Sequence, residues 1–164
     1  MKPTRSRARV GSLQGVEGEF ALINLSGEGT IVFRFFPRPI SLSARANWSP
    51  IDVTRGAKPL FYFNREPHRL SVNELWLDST DTNQSLTPEI RELLRLLEET
   101  ERGTPPLLLA AWGDRRLRCV LEEVGIDEEF FALTGEPLRA RVRLSLLEVQ
   151  GNRESTSSQV IDEP

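Results

Sequence analysis

The sequence contains few residues that could act as nucleophiles or hold a metal ion. It has one cysteine, Cys119, and one histidine, His68, in 164 residues. A structural zinc site needs about four Cys or His ligands, so we expect no such site and no bound metal or cofactor. A Cys–His catalytic pair could combine only Cys119 with His68. Cys119, however, lies in the alternating run LRCVLEE, which predicts that it faces the core as a small apolar residue.

Closely spaced acids are the other groups with catalytic potential. They occur at Asp78/Asp81, Glu122/Glu123 and Asp127–Glu129. Paired carboxylates can divide acid and base roles when their surroundings separate their pKa values. Nothing in the sequence indicates a cleft of that kind, and there is no phosphate-binding glycine loop. We therefore expect these acids to lie in turns or in solvent, and no catalytic residue is predicted. A small ligand-binding barrel or enzyme that uses His68 with an acid such as Asp78 remains the alternative of another class.

Arginine supplies nearly all of the positive charge, with 19 Arg and 2 Lys. Arg139, Arg141 and Arg143 alternate along one predicted strand, and we call them the arginine row. Three interpretations stay open: a solvated sheet face, a row that meets acids of a neighbouring subunit or lines a channel, and a nucleic-acid surface. The first nine residues hold four basic groups and no acid, so residues 10–164 balance 17 basic against 24 acidic groups, a net charge of −7. This acidic body opposes phosphate binding.

Short strands separated by turns dominate the pattern. A hairpin is predicted around Ser26–Gly29, because glycine accepts positive φ. In Arg69–Asp78, the apolar residues Leu70, Val72 and Trp76 fall at even spacing. The clearest strand alternates apolar residues with the arginine row. The predicted strands are Phe20–Leu25, Thr30–Phe36, Ile40–Trp48, Leu60–Phe63, Arg69–Asp78, Leu107–Trp112, Arg116–Val124, Glu129–Leu133 and Leu138–Val149.

One helix is predicted in the middle of the chain. Thr87 suits the N-cap and Pro88 the first helical position. An apolar stripe follows at i, i+3, i+4 and i+7, made of Ile90, Leu93, Leu94 and Leu97. Gly103 and the prolines after it end the helix. One central helix among eight or nine strands predicts an α+β domain with a mainly antiparallel sheet or open barrel.

The chain divides into three predicted parts. Residues 1–14 form a basic flexible arm, 15–150 the folded body, and 151–164 a polar, serine-rich tail. No run approaches the ~20 apolar residues that span a bilayer, and no secretory signal is visible at the N-terminus. We expect no membrane insertion.

Four segments, in this order and spacing, resemble the tube-type proteins of contractile injection systems, the phage-tail-like particles. They are FRFFPRPISLSARANW, ELWLDSTDTNQSLTPEIRELLRLLEE, PPLLLAAWGDRRLRCVLEEV and EEFFALTGEPLRARVRLSLLEV. The family-motif residues among them are Asp78, Trp112, Gly113, Gly135, Pro137 and Ala140. The resemblance is to the tube-initiator or spike-adaptor branch.

The resemblance implies a tail-tube fold, in which two antiparallel sheets form a small barrel with a helix against it. It also implies a homo-oligomer, a six-membered ring between the spike or baseplate and the inner tube, that assembles in the cytoplasm as part of the particle. The arginine row would then make subunit or lumen contacts. An inner-tube protomer is the alternative. Longer members of the branch continue into a C-terminal LysM domain; we expect this chain to lack it, and peptidoglycan binding is not carried over.

Overall fold

The computed structural model describes residues 19–33 and 39–151. The predicted basic arm, 1–14, and all but the first residue of the predicted tail, 151–164, lie outside these ranges. Within them the chain forms nine strands and one helix: β1 (Phe20–Asn24), β2 (Thr30–Phe33), β3 (Ile40–Ser43), β4 (Ala46–Pro50), β5 (Leu60–Arg65), β6 (Arg69–Asp78), α1 (Thr87–Arg95), β7 (Leu108–Trp112), β8 (Arg115–Phe131) and β9 (Pro137–Glu148).

Seven strands form one antiparallel sheet, in the order β2-β1-β7-β8-β9-β6-β3. The sheet curls until β2 approaches β6, yet β2 and β3 remain its two edges. The α+β class with a mainly antiparallel sheet is confirmed. The expected barrel is not closed among the described residues, because no ladder of hydrogen bonds joins the two edge strands.

The concave face of the sheet holds the core. Alternate residues of β9, from Leu138 to Leu146, are buried there, and the residues between them face outward. Fully buried side chains from five other strands complete this core, among them Phe20, Phe33, Leu70, Leu108 and Cys119. The alternation predicted for the last strand is therefore confirmed, and the arginine row lies on the outer face.

The helix is shorter than predicted and begins one residue earlier. Leu86 is its N-cap and makes no side-chain capping bond, while Thr87 is already helical, so the Thr87 cap was wrong. Ser85 takes part of that role, because its hydroxyl accepts a hydrogen bond from the Thr87 N–H at 3.2 Å. Beyond Arg95 the chain tightens into i→i−3 bonds, which turn Leu96 into the core and leave Leu97 at the surface.

Two predicted strand limits also differ. Ile40–Trp48 is two strands, β3 and β4, since the chain leaves the large sheet between them. Arg116–Val124 and Glu129–Leu133 are one strand, β8, whose pairing with β9 shifts register between Leu121 and Glu123 and again near Phe130. Such bulges interrupt the alternation that strand prediction relies on.

A bulge also changes the predicted faces of β6. Its register with β9 shifts between Val72 and Leu75. Leu70 and Val72 are buried as their even spacing predicts, but beyond the shift Leu75 and Leu77 face the core. Trp76 therefore lies on the outer face, beside the arginine row.

β4 and β5 form a separate two-stranded sheet. A hydrogen bond from the Glu66 N–H to the Arg45 carbonyl, at 2.9 Å, closes its base. All six residues of β5 are exposed. We call residues 45–66 the ribbon. No helix in the described parts of the chain has the length and apolarity needed to cross a membrane.

Candidate assembly surfaces

Each arginine of the row faces an acid on an adjacent strand or at its end. Arg139 contacts Asp78 at the end of β6, with Nη2 and Nε both 2.9 Å from Oδ2. Arg141 pairs with Glu129 of β8 at 2.8 Å, and Arg143 with Asp127 at 3.4 Å. The row is thus charge-compensated by acids of the same chain. From the sequence, a solvated face, a neighbouring subunit or channel, and a nucleic-acid surface had all stayed open.

Two side-chain arrangements hold the row in place. The Arg141 guanidinium carbon lies 5.9 Å from the centroid of the Trp76 ring, within cation–π range. Arg143 lies across Gly125, where an added Cβ would come within 2.9 Å of its Nε. A larger residue at position 125 would displace the Arg143 side chain, so the glycine leaves the space that this arginine occupies.

The charged face continues to the other end of β6. Arg69 makes two hydrogen bonds of 2.9 Å to the Glu122 carboxylate, which also accepts one from Ser145. The hydrogen bonds from Arg69 lower the pKa of Glu122, against the opposite effect of partial burial. The outer face of β6, β9 and β8 therefore carries four ion pairs in sequence, without a block of uncompensated positive charge among the pairs described.

His68 belongs to an ion-pair cluster, not to a pair with Asp78. The Glu148 carboxylate accepts a 3.0 Å hydrogen bond from the His68 backbone N–H and lies 3.3 Å from Arg65 Nη2. Arg65 Nη1 also contacts His68 Nε2 at 2.6 Å. His68 precedes β6 and Asp78 ends it, about 30 Å apart for ten residues of strand. The structure thus does not bring the suggested His68–Asp78 site together.

Cys119 is fully buried, as the alternating run predicted. Burial raises the pKa of its thiol to about 11, which disfavours the thiolate that a nucleophile needs. No group of three or more metal-ligating side chains occurs in residues 19–33 and 39–151.

The family-motif residues sit at strand ends and turns. Asp78 accepts hydrogen bonds from the Thr80 N–H and hydroxyl. Trp112 ends β7 and stacks on Phe20, with ring centroids 5.9 Å apart. Gly113 and Gly135 take positive φ, 53° and 86°, in the β7–β8 and β8–β9 turns. Pro137 and Ala140 are buried at the start of β9. These positions fit structural roles; contacts with other subunits stay a prediction.

The ribbon carries exposed aromatic side chains on both faces. Trp48 and Tyr62 lie edge to face across the strands, with centroids 5.2 Å apart. Phe61 and Phe63 lie together on the other face, 5.9 Å apart. These four side chains are 47–64% exposed. Interfaces are enriched in such aromatic residues. This surface was not predicted from the sequence. The unbroken apolar run LFYF was the available signal, since a strand with one solvated face would alternate.

A second exposed apolar surface lies at the turn between β8 and β9. We call residues 127–136 the hairpin tip. Phe130 and Phe131 are about half exposed, and Leu133 is fully exposed. The turn is closed by hydrogen bonds between Ala132 and Glu136 and between Gly135 and Ala132. The tip therefore holds large apolar side chains in an ordered turn, directed away from the core.

An open β-domain with exposed aromatic surfaces and internally paired charges has the features of an assembly subunit. The family model described as contractile injection system tube protein matches residues 23–157. Because the match covers most of the chain, the protein belongs to the contractile injection system tube protein family. It is a structural, tail-tube-like component that assembles with other parts of a phage-tail-like particle. No curated protein matches the sequence.

Proposed function

We propose that this tube-family protein forms the ring that connects the spike or baseplate to the inner tube. The observation that carries the proposal is the exposed aromatic ribbon on a domain whose sheet has two open edges. Large exposed apolar patches on a folded domain mark interaction surfaces. A two-stranded ribbon is itself marginal in water, so a neighbouring chain is expected to cover it.

Open edges support a ring. β2 and β3 present backbone groups that a monomer would normally protect. In a cyclic assembly each subunit offers two different, complementary surfaces to its neighbours. Strands at opposite edges of one sheet meet that requirement, since they can pair with each other across subunits. Six copies would give the ring that the resemblance to the tube-initiator branch implies.

The paired arginine row supports a surface that faces a lumen or a neighbour without binding phosphate. Its three guanidinium groups contact Asp78, Glu129 and Asp127. Nucleic-acid binding depends on basic groups that are available to phosphates. A charge-compensated face suits a polar channel that does not bind the molecules passing through it.

The test is assembly of the full chain alone, with the spike protein and with the inner-tube protein. Negative-stain microscopy and mass photometry would measure ring size against the 18.6 kDa chain. We expect single six-membered rings that bind the spike on one side and tube on the other. Long stacked tubes from the chain alone would instead support the alternative of an inner-tube protomer. A chain that stays monomeric with both partners would contradict both roles.

A further inference from the structure

The two exposed apolar surfaces lie at opposite ends of β9. The base of the ribbon meets its last residue, because Arg65 pairs with Glu148 and the Gln150 amide donates to the Arg65 carbonyl. The hairpin tip immediately precedes its first residue, Pro137. Twelve residues of strand separate the two ends, about 36 Å at 3.3 Å per step. The ribbon of one chain therefore cannot cover the tip of the same chain at that separation.

The two surfaces have opposite charge. The ribbon contains four basic residues and two acids, a net charge of +2, and the hairpin tip contains four acids and no basic residue. Within the ribbon, Lys58 pairs with Asp52, and Arg65 with Glu148. Within the tip, Asp127 and Glu129 pair with the arginine row.

Three charges of the ribbon remain, two basic and one acidic, and two acids of the tip; the acidic one on the ribbon is Glu66, whose carboxylate accepts a hydrogen bond from the Asn47 amide. Arg45 and Arg55 of the ribbon have no ion-pair partner in the described part of the chain, and neither have Glu128 and Glu136 of the tip. Each surface thus combines large exposed apolar side chains with an excess of unpaired charge, positive on the ribbon and negative on the tip. Complementary charge of this kind sets the register and choice of partner.

We propose that the ribbon of one copy docks on the hairpin tip of a second copy, head to tail. The aromatic side chains of the ribbon pack on Phe130, Phe131 and Leu133, while Arg45 and Arg55 face Glu128 and Glu136. Two different surfaces at opposite ends of one chain form a heterologous contact, which repeats from copy to copy. This pairing rests on the proposed function, since it assigns the contact by which the tube-family subunits join.

Charge reversal on each surface gives a complementation test. One variant carries Glu128→Arg and Glu136→Arg, and the other carries Arg45→Glu and Arg55→Glu. Alone, each variant places like charges at every contact, and we expect the concentration needed for assembly to rise by about tenfold or more. Mixed in equal amounts, every contact between unlike variants has opposite charges. The mixture should recover wild-type assembly with the two variants alternating.

A matched control reverses two exposed acids elsewhere. Glu98→Arg with Glu101→Arg makes the same change in net charge as the Glu128/Glu136 variant, in the segment after α1 and outside the ribbon and the hairpin tip, and should assemble like the wild type. Circular dichroism checks that every variant is folded. If wild type forms rings and both reversed variants do so equally well, the ribbon–tip pairing is overturned, while the proposed role as a ring subunit is unaffected. If wild type fails to assemble even with spike and tube, the proposed function is overturned first.

Cross-linking separates this pairing from a ribbon–ribbon contact. Phe61→Cys and Leu133→Cys place one thiol on each surface, and the native Cys119 is buried. A short bismaleimide should join the two single variants to each other when they are mixed. Dimers formed by Phe61→Cys alone, with none between the two variants, would overturn the proposal in favour of a symmetric ribbon contact. Links to spike or tube protein alone would overturn it in favour of another partner.

Discussion

Gly113 illustrates how one residue fixes the turn between two strands of the core sheet. It opens the two-residue turn between Trp112 and Arg115, with φ of 53°. Positive φ at the first turn position suits the twist of a hairpin and requires glycine. No atom lies within 4 Å of an added Cβ, so side-chain crowding plays no part.

We predict that Gly113→Ala lowers the free energy of unfolding by about 1–2 kcal/mol, the cost of left-handed backbone for a residue with a Cβ. Gly27→Ala is the matched control, because its backbone has no positive φ and its Cβ would meet Asn24 only at ordinary contact distance, 3.5 Å. Urea denaturation measures both. Equal effects at the two positions would show that the turn does not depend on backbone conformation.

The arginine row was recognisable from the sequence because strict alternation predicts a common face. Its partners were not, since pairing register decides which acid lies opposite which arginine. Two bulges in β8 and one in β6 set that register, and no local pattern reports them. The bulge in β6 also explains why Trp76, at even spacing from Leu70 and Val72, does not share their face.

Asp78 and Asp127 both pair with the row but differ in their surroundings. The Asp78 side chain is 12% exposed and accepts bonds from Arg139 and from the Thr80 backbone and hydroxyl. Asp127 is 43% exposed with one contact at 3.4 Å. We expect Asp78→Asn to cost about 1–3 kcal/mol of stability and Asp127→Asn about 0–1 kcal/mol. Thermal or urea unfolding compares them, and an equal cost would contradict this assignment.

At the scale of elements, helix α1 shows what periodicity predicts and where it fails. The apolar stripe located the helix, and Ile90 and Leu93 are buried as expected. Leu94 is exposed within the helix itself, and Leu97 is left at the surface because the turns after Arg95 tighten and bring Leu96 into the core. A change from i→i−4 to i→i−3 bonding follows from tertiary packing, and the sequence alone does not reveal it.

The variant Leu93→Ala tests whether only the first two residues of the apolar stripe, Ile90 and Leu93, belong to the core. Leu93 is 0% exposed within the core cluster, and truncating a buried leucine costs about 2–5 kcal/mol. Leu97 is 36% exposed, so Leu97→Ala should cost less than about 1 kcal/mol because little buried apolar surface is lost. Urea unfolding of the two variants gives the comparison. Similar losses would mean that the helix continues on its predicted face beyond Arg95.

For the whole molecule, the sequence predicted the α+β class, most strands and the family. It did not predict the ribbon, because the run Ile40–Trp48 was predicted as one strand, whereas the chain leaves the large sheet between β3 and β4. Whether a strand joins a sheet depends on long-range pairing. Exposure of consecutive aromatic residues, from Phe61 to Phe63, is likewise decided by what the rest of the chain leaves uncovered. An assembly protein buries part of its apolar surface against other chains. In a single chain these apolar residues therefore remain exposed.

The acid stability of the whole domain should reflect three carboxylates that tie strands together. In Glu148 the His68 backbone N–H lowers the pKa, with further lowering by charge from His68 and Arg65 against partial burial. The hydrogen bonds and the charge of Arg69 lower the pKa of Glu122. For Asp78, partial burial raises the pKa, but bonds from Thr80 and Arg139 together lower it. In each case the folded protein binds the proton less readily than the unfolded chain.

That difference sets the sign of the pH dependence. Above the ordinary values, 4.5 for glutamate and 3.8 for aspartate, these groups contribute their full stabilisation. As the pH falls through the lower folded values, the unfolded chain takes up protons first and stability is lost. We predict that the free energy of unfolding, measured by urea denaturation of the monomer, is flat near pH 7 and falls below about pH 4.5. Glu148→Gln should make the free energy of unfolding fall less steeply below pH 4.5, and the exposed control Glu98→Gln should leave that slope unchanged. An unchanged slope in Glu148→Gln would show that the cluster joining the ribbon base to β9 does not contribute to acid stability.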